Sequence, residues 1–180
     1  MTGDEVAAWL GSIFPGMELL LIDGAVVALS SLHNTPVAVT AGFSAVDTGL
    51  VVEADGETEV RCEIVLHADV DKQLLGQVVV EAAGLLQRLG VPAQPGVLLE
   101  GLLEHRGLAV RHGLLREPEL FAQGTPLYRE PGRITLLLEL IALTDDEFEI
   151  ASEQGYPALA TRLRRRGTNV ADWSRGGQQG

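Results

Sequence analysis

"EVRCEIVLHADVDKQLLGQVVVEAAGLLQRLG", residues 59–90, changes its hydrophobic period part-way along, and that change sets the fold class. In the first half Val60, Cys62, Ile64 and Leu66 alternate with Arg61, Glu63 and Val65. This is the two-residue repeat of a strand with one buried and one more polar face. Asp69-Val70-Asp71 then supplies aspartates suited to capping a helix N-terminus. Leu74, Leu75, Val78, Val79, Ala82, Leu85, Leu86 and Leu89 form a broad apolar stripe at helical spacing. The predicted helix runs about five turns and stops at Gly90 and Pro92. A strand followed by a helix made to lie on a sheet is the centre of the expected fold.

Upstream, "LVVEADGETEVRCEIVLH" reads as a hairpin turning at Asp55-Gly56, and "MELLLID" with "AVVALSSL" as another turning at Asp23-Gly24. Pro36 begins a further strand, "PVAVTAGFS". Residues 3–13 read as a short helix, with Thr2 as its cap and Val6, Trp9, Leu10 and Ile13 on one face. Downstream, "PAQPG" is a loop and "VLLEGLLE" fits strand or helix equally. "REPELFAQGTPLYREPGR", 116–133, reads as a long loop, and "ITLLLELIAL" as a core strand. Two helices follow. Thr144 and Glu147 form a capping box, Gly155 and Pro157 separate the helices, and Arg164, Arg165 and Arg166 complement the last helix's negative end before Gly167. The expected fold class is α+β: a single mixed α/β domain over residues 1–174, its largely antiparallel sheet packed by a long central helix and C-terminal helices. Residues 175–180 are expected to be a disordered tail.

The 180 residues are 46% hydrophobic, enough for one substantial core. No apolar run is long enough to span a bilayer, and "MTGDEVAAWL" lacks a basic signal-peptide start. A cytoplasmic protein without membrane attachment is therefore expected. The net charge of −12 disfavours nucleic acid and anionic membranes and suits a basic protein partner. Aromatic content of 4% argues against a base-stacking platform. Cys62 is the only cysteine and sits in a strand pattern, which suits a buried small residue better than a nucleophile.

Catalytic patterns are sparse. "GFSAV", 42–46, resembles a nucleophile elbow around Ser44, but Val46 stands where a second glycine would permit close strand-to-helix packing. His67, Asp69 and Asp71 are the only conceivable mononuclear metal cluster, and aspartate capping explains them more simply. No cofactor motif is present. An acidic face is better supported: Asp145, Asp146, Glu149 and Glu153 lie in one helix, with 146, 149 and 153 on one side. These four are the candidate partner-binding residues, although helix capping and solvation also account for them.

The order of segments carries a family resemblance. "VTAGFSAV", "EVRCEIVLHAD", "GVPAQPGVLL" and "ITLLLELIALTDDEFEIASEQGYPALATRLRRRG" resemble successive segments of suppressor of fused-like domains, and "VADWSR" resembles their Asp-x-x-Arg ending. The resemblance runs from about residue 36 to 175 and departs from the family pattern at Ala41, where an aromatic is usual, and at Trp173. It implies a mixed α/β domain that holds a protein partner without turning over a substrate. In bacteria it implies an immunity protein neutralising a polymorphic toxin. A housekeeping adaptor and a small serine hydrolase using Ser44 are the alternatives.

Overall fold

The computed structural model describes residues 1–176. Four helices, α1 (Gly3–Ile13), α2 (Lys72–Leu89), α3 (Asp145–Gln154) and α4 (Tyr156–Arg166), pack on one eight-stranded sheet. The strands are β1 (Glu18–Ile22), β2 (Ala25–Leu32), β3 (Thr35–Thr40), β4 (Glu59–His67), β5 (Leu98–Leu99), β6 (His112–Arg116), β7 (Leu127–Glu130) and β8 (Arg133–Leu143). The spatial order is β1-β2-β3-β4-β8-β6-β5, with β7 also on β8. Every pairing is antiparallel except β4 with β8, which run parallel from Glu59–Arg133 to Leu66–Leu140.

Local chemistry accounts for most element ends. Thr2 and Glu5 close a capping box on α1, Thr144 and Glu147 another on α3. Asp71 caps α2 by accepting from the N–H groups of Gln73 and Leu74, and Gly90 ends it in the left-handed conformation. Asp23-Gly24 joins β1 to β2 with both residues at positive φ, as a two-residue hairpin turn requires. His33-Asn34 makes an equivalent turn between β2 and β3.

One face of the sheet carries α2, whose Leu75, Val79, Ala82 and Leu86 meet Val27, Leu29, Cys62, Ile64, Leu66, Leu138 and Leu140. Gly76 lets the helix lie close: a Cβ there would stand 2.6 Å from Ile22 Cδ1. The other face is shared. At one end α1 places Trp9, Leu10 and Phe14 on Val37, Val39, Val65 and Leu137; at the other, Ala151, Leu159 and Leu163 of α3 and α4 cover Leu114, Ile141 and Leu143.

Four expectations need correction. β4 has no solvent-facing polar side: Arg61 and Glu63 are as buried as their apolar neighbours, because the 40–45 segment folds over them, its backbone donating to Glu63 and accepting from Arg61. The Asp55-Gly56 hairpin shrinks to one bridge, Val51 with Glu59. The side chains of Asp47 and Thr48 bond to Gly49 N–H, Leu50 N–H and the Val60 carbonyl, which bends the first arm out of the ladder. The stretch 116–133 is only partly loop, since Leu127–Glu130 pairs with β8 across Pro131-Gly132. Arg175, assigned to a disordered tail, is held by Glu147 through Nε at 3.0 Å and Nη2 at 2.9 Å, and donates to the carbonyls of Val170, Asp172 and Ala142. The rest of that expected tail, 177–180, lies outside the described residues.

Candidate functional site

The segment that resembles a nucleophile elbow wraps a buried carboxylate. β3 ends at Thr40, Gly42 adopts φ 158°, and a 3-10 turn follows at Phe43–Ala45. The N–H groups of Gly42, Phe43 and Ser44, each at 3.0 Å, converge on the Glu63 carboxylate, and the Thr40 hydroxyl donates to it at 2.5 Å. Burial pushes the Glu63 carboxyl above the usual carboxylate range, against the opposing pull of Thr40 and of the Ser44 and Gly42 donors. Ser44 itself is buried, and its role here is to supply a donor to Glu63. Among the described residues no histidine shares a hydrogen bond with it.

His67, Asp69 and Asp71 do not converge. Asp71 caps α2, while His67 lies 3.8 Å from Glu139 with its Nδ1 unbonded. Among the described residues no group of three or more His, Cys, Asp and Glu is placed to share a metal ion. Burial drives the Cys62 thiol well above its usual range, so it should resist maleimide labelling in the native protein. Labelling as fast as a free thiol would contradict that burial.

A polar seam divides the α1 end of the sheet from the α3–α4 end. Glu139, fully buried on β8, accepts from Arg116 Nε at 2.9 Å and Nη2 at 3.0 Å, and from the Glu119 N–H at 3.0 Å. Arg116 also meets the Glu119 carboxylate at 3.2 Å. Burial holds His67 below its usual pKa, opposed by the charge of Glu139. The seam opens beside Leu163, Arg164 and Thr168 into a cleft of about 400 Å³. Its buried charges are already matched, which suits it to holding elements together.

All four acidic residues proposed for binding are exposed, and one of them is engaged. Asp145 bonds to His112 Nε2 at 2.9 Å and to Arg111 at 3.0 Å, fastening α3 to the start of β6. The His112 bond, then Arg111, hold its carboxyl below the usual aspartate range. Its stabilising contribution is therefore present above about pH 4 and fades as the pH falls through the depressed native value. Asp145→Asn should show a shallower acid loss of Tm than the parent; parallel acid curves would refute this. Asp146, Glu149 and Glu153 are exposed and have no ion pair among the described residues. Beside them a shallow groove of about 270 Å³ runs between α3 and α4, lined by Ile150, Gln154, Ala158 and Arg162, Arg165, Arg166. The acidic face is thus bordered by an arginine ridge from the next helix, a neighbourhood set by how α3 and α4 pack.

The sheet edge is the other exposed feature. Among the described residues β1 is paired on one side only, and its Leu19, Leu20 and Leu21 are 45%, 40% and 72% exposed. Val26, opposite Leu21 on β2, is 43% exposed. The run "ELLLI" was legible as a strand, but its place at the margin depends on strand order, which no local pattern encodes.

No protein-family model matches the sequence, and no curated protein matches it. Solved structures do. The Neisseria gonorrhoeae FA 1090 protein described as a suppressor of fused homologue superposes with a TM-score of 0.69 at 12% identity, over 96% of this chain and 94% of its own. The Sufu–Fu complex gives 0.64 at 13% identity, over 94% of this chain and 86% of that one. With identities this low it is the fold that is shared, and it is the fold the order of segments pointed to: this chain has a suppressor of fused-like fold.

Proposed function

We propose that this chain is a non-enzymatic protein-binding domain, and that it serves as an immunity protein occluding a basic toxin domain in the cytoplasm. The observation that carries the reading is the exposed trio Asp146, Glu149 and Glu153, the carboxylates of α3 that are not spent on holding the fold. Asp145 and Glu147 are engaged by Arg111, His112 and Arg175. In a chain of net charge −12, such a face steers a basic partner and forms a polar rim around an apolar contact. One structure of similar fold is a Sufu–Fu complex, which supports protein binding as the use of this fold.

The test is affinity capture at low and high salt, with any captured partner assayed for toxicity alone and with this chain. Asp146→Ala with Glu149→Ala should weaken capture roughly 3- to 30-fold at low salt and less at high salt. Folding should be nearly unchanged, since neither side chain has an ion pair among the described residues. An unaltered dissociation constant at low salt would remove this face from the reading, and a constitutive, non-toxic partner would favour an adaptor role.

A further inference from the structure

We propose that β1 is a self-pairing edge and that two copies of this chain associate through antiparallel β1–β1 addition, continuing one sheet into the other. The backbone register supplies the first argument. A two-residue hairpin turn is flanked by a pair that exchanges both hydrogen bonds, and such pairs alternate along the ladder. Ile22–Ala25 is the flanking pair, so Leu20 with Val27 and Glu18 with Leu29 also bond inwards. The N–H and C=O groups of Leu19 and Leu21 therefore face the open side.

Pairing β1 with a second β1 about Leu20 sets Leu19 opposite the copy's Leu21, and Leu21 opposite its Leu19. All four outward-facing groups of each copy are then bonded. The same register places leucine against leucine at three consecutive positions, with Val26 flanking Leu21 on its face. Charge agrees with it. Glu18 is the only charged residue of β1, and it falls opposite Ile22 of the copy, away from the other Glu18.

The edge also lacks the devices that usually prevent such contacts. It has no lysine, no proline and no bulge, and apart from Glu18 at its start its side chains are apolar on both faces. On the far side of the sheet the margins are short, with two residues in β5 and four in β7. A contact built on three leucines per copy is at the small end of stable interfaces. Association is therefore expected at roughly 10–500 µM.

The experiment is sedimentation equilibrium of the full chain across that range, with two kinds of variant. The wild type should rise from 19.2 kDa toward twice that mass, and Leu21→Lys, at a mostly exposed position, should stay monomeric with an unchanged circular dichroism spectrum. Leu20→Cys should give an oxidised, disulfide-linked dimer, because Leu20 faces itself across the two-fold axis in a closely spaced non-bonded pair. Leu19→Cys should link far less, because it faces Leu21. Cys62 is buried and does not compete. A wild type that stays monomeric throughout, a Leu21→Lys variant that still dimerises, or preferential linking through Leu19→Cys would each overturn the proposal.

Discussion

Arg116→Ala should lower the free energy of unfolding by about 3–5 kcal/mol. The reason is the partner left behind. Glu139 has no exposed surface, and two of its three donors belong to the Arg116 guanidinium. Without them a carboxylate remains buried with one N–H and a histidine 3.8 Å away. Since a domain's whole stability is about 5–15 kcal/mol, the variant should sit near the limit of folding, its Tm lower by roughly 10 °C. The control is Arg116→Met with Glu139→Leu. Removing both charges together should recover most of the loss, because the pair's mutual attraction mainly offsets its own desolvation. Urea unfolding of the three variants decides the matter. A single-variant loss under 1 kcal/mol, or a double variant worse than the single, would show that the seam does not work as a matched buried pair.

Glu63→Ala should lose a similar amount, about 4 kcal/mol, by a different route. Three backbone N–H groups and the Thr40 hydroxyl would lose their acceptor, and each buried donor left unpaired costs about 1–3 kcal/mol, reduced where water enters. Glu63→Gln should fall between. Its single oxygen can accept two of the donors, while its amide group faces the others. Hydrogen exchange gives a local check: the Gly42, Phe43 and Ser44 amides should lose protection first, ahead of the β8 amides. Uniform loss of protection would mean that the wrap around Glu63 is incidental. The wild-type pH response has a definite sign. Because burial raises its native pKa, Glu63 favours folding below the ordinary carboxylate value, and this contribution is lost as the pH rises through the elevated one.

These two carboxylates mark where sequence stops being readable. The helices were legible because their signals are local: Thr2 with Glu5, Thr144 with Glu147, Asp71 and Gly90 all act within a few residues. The Asp23-Gly24 hairpin was legible for the same reason. Glu63 looks like the polar member of an alternating strand that would ordinarily face water, and Glu139 is a lone charge in an almost continuous apolar run. Glu63 is buried by the 40–45 turn that wraps it and Glu139 by the Arg116–Glu119 segment, and these partners lie 19 to 23 residues away with no pattern linking them. β6 went unread because Gly113 interrupts a run of five. The glycine is there because a Cβ would meet Leu102 at 2.9 Å and Leu140 at 3.0 Å. The acidic face was visible as a set of residues, but only the structure separates Asp145, which is engaged, from Asp146, Glu149 and Glu153, which are not.

The parallel pairing of β4 with β8 has a consequence during synthesis. Its first rung joins Glu59 to Arg133, 74 residues apart, so the middle of the sheet cannot close until most of the chain has been made. At elongation rates of about 5–20 residues per second, the β1–β4 half and α2 wait several seconds beside an unfilled edge of apolar β4. Chaperone engagement should therefore peak on nascent chains that have exposed β4 but not yet β8. A chain released before residue 133 should aggregate, whereas one extended through Leu143 can complete its sheet.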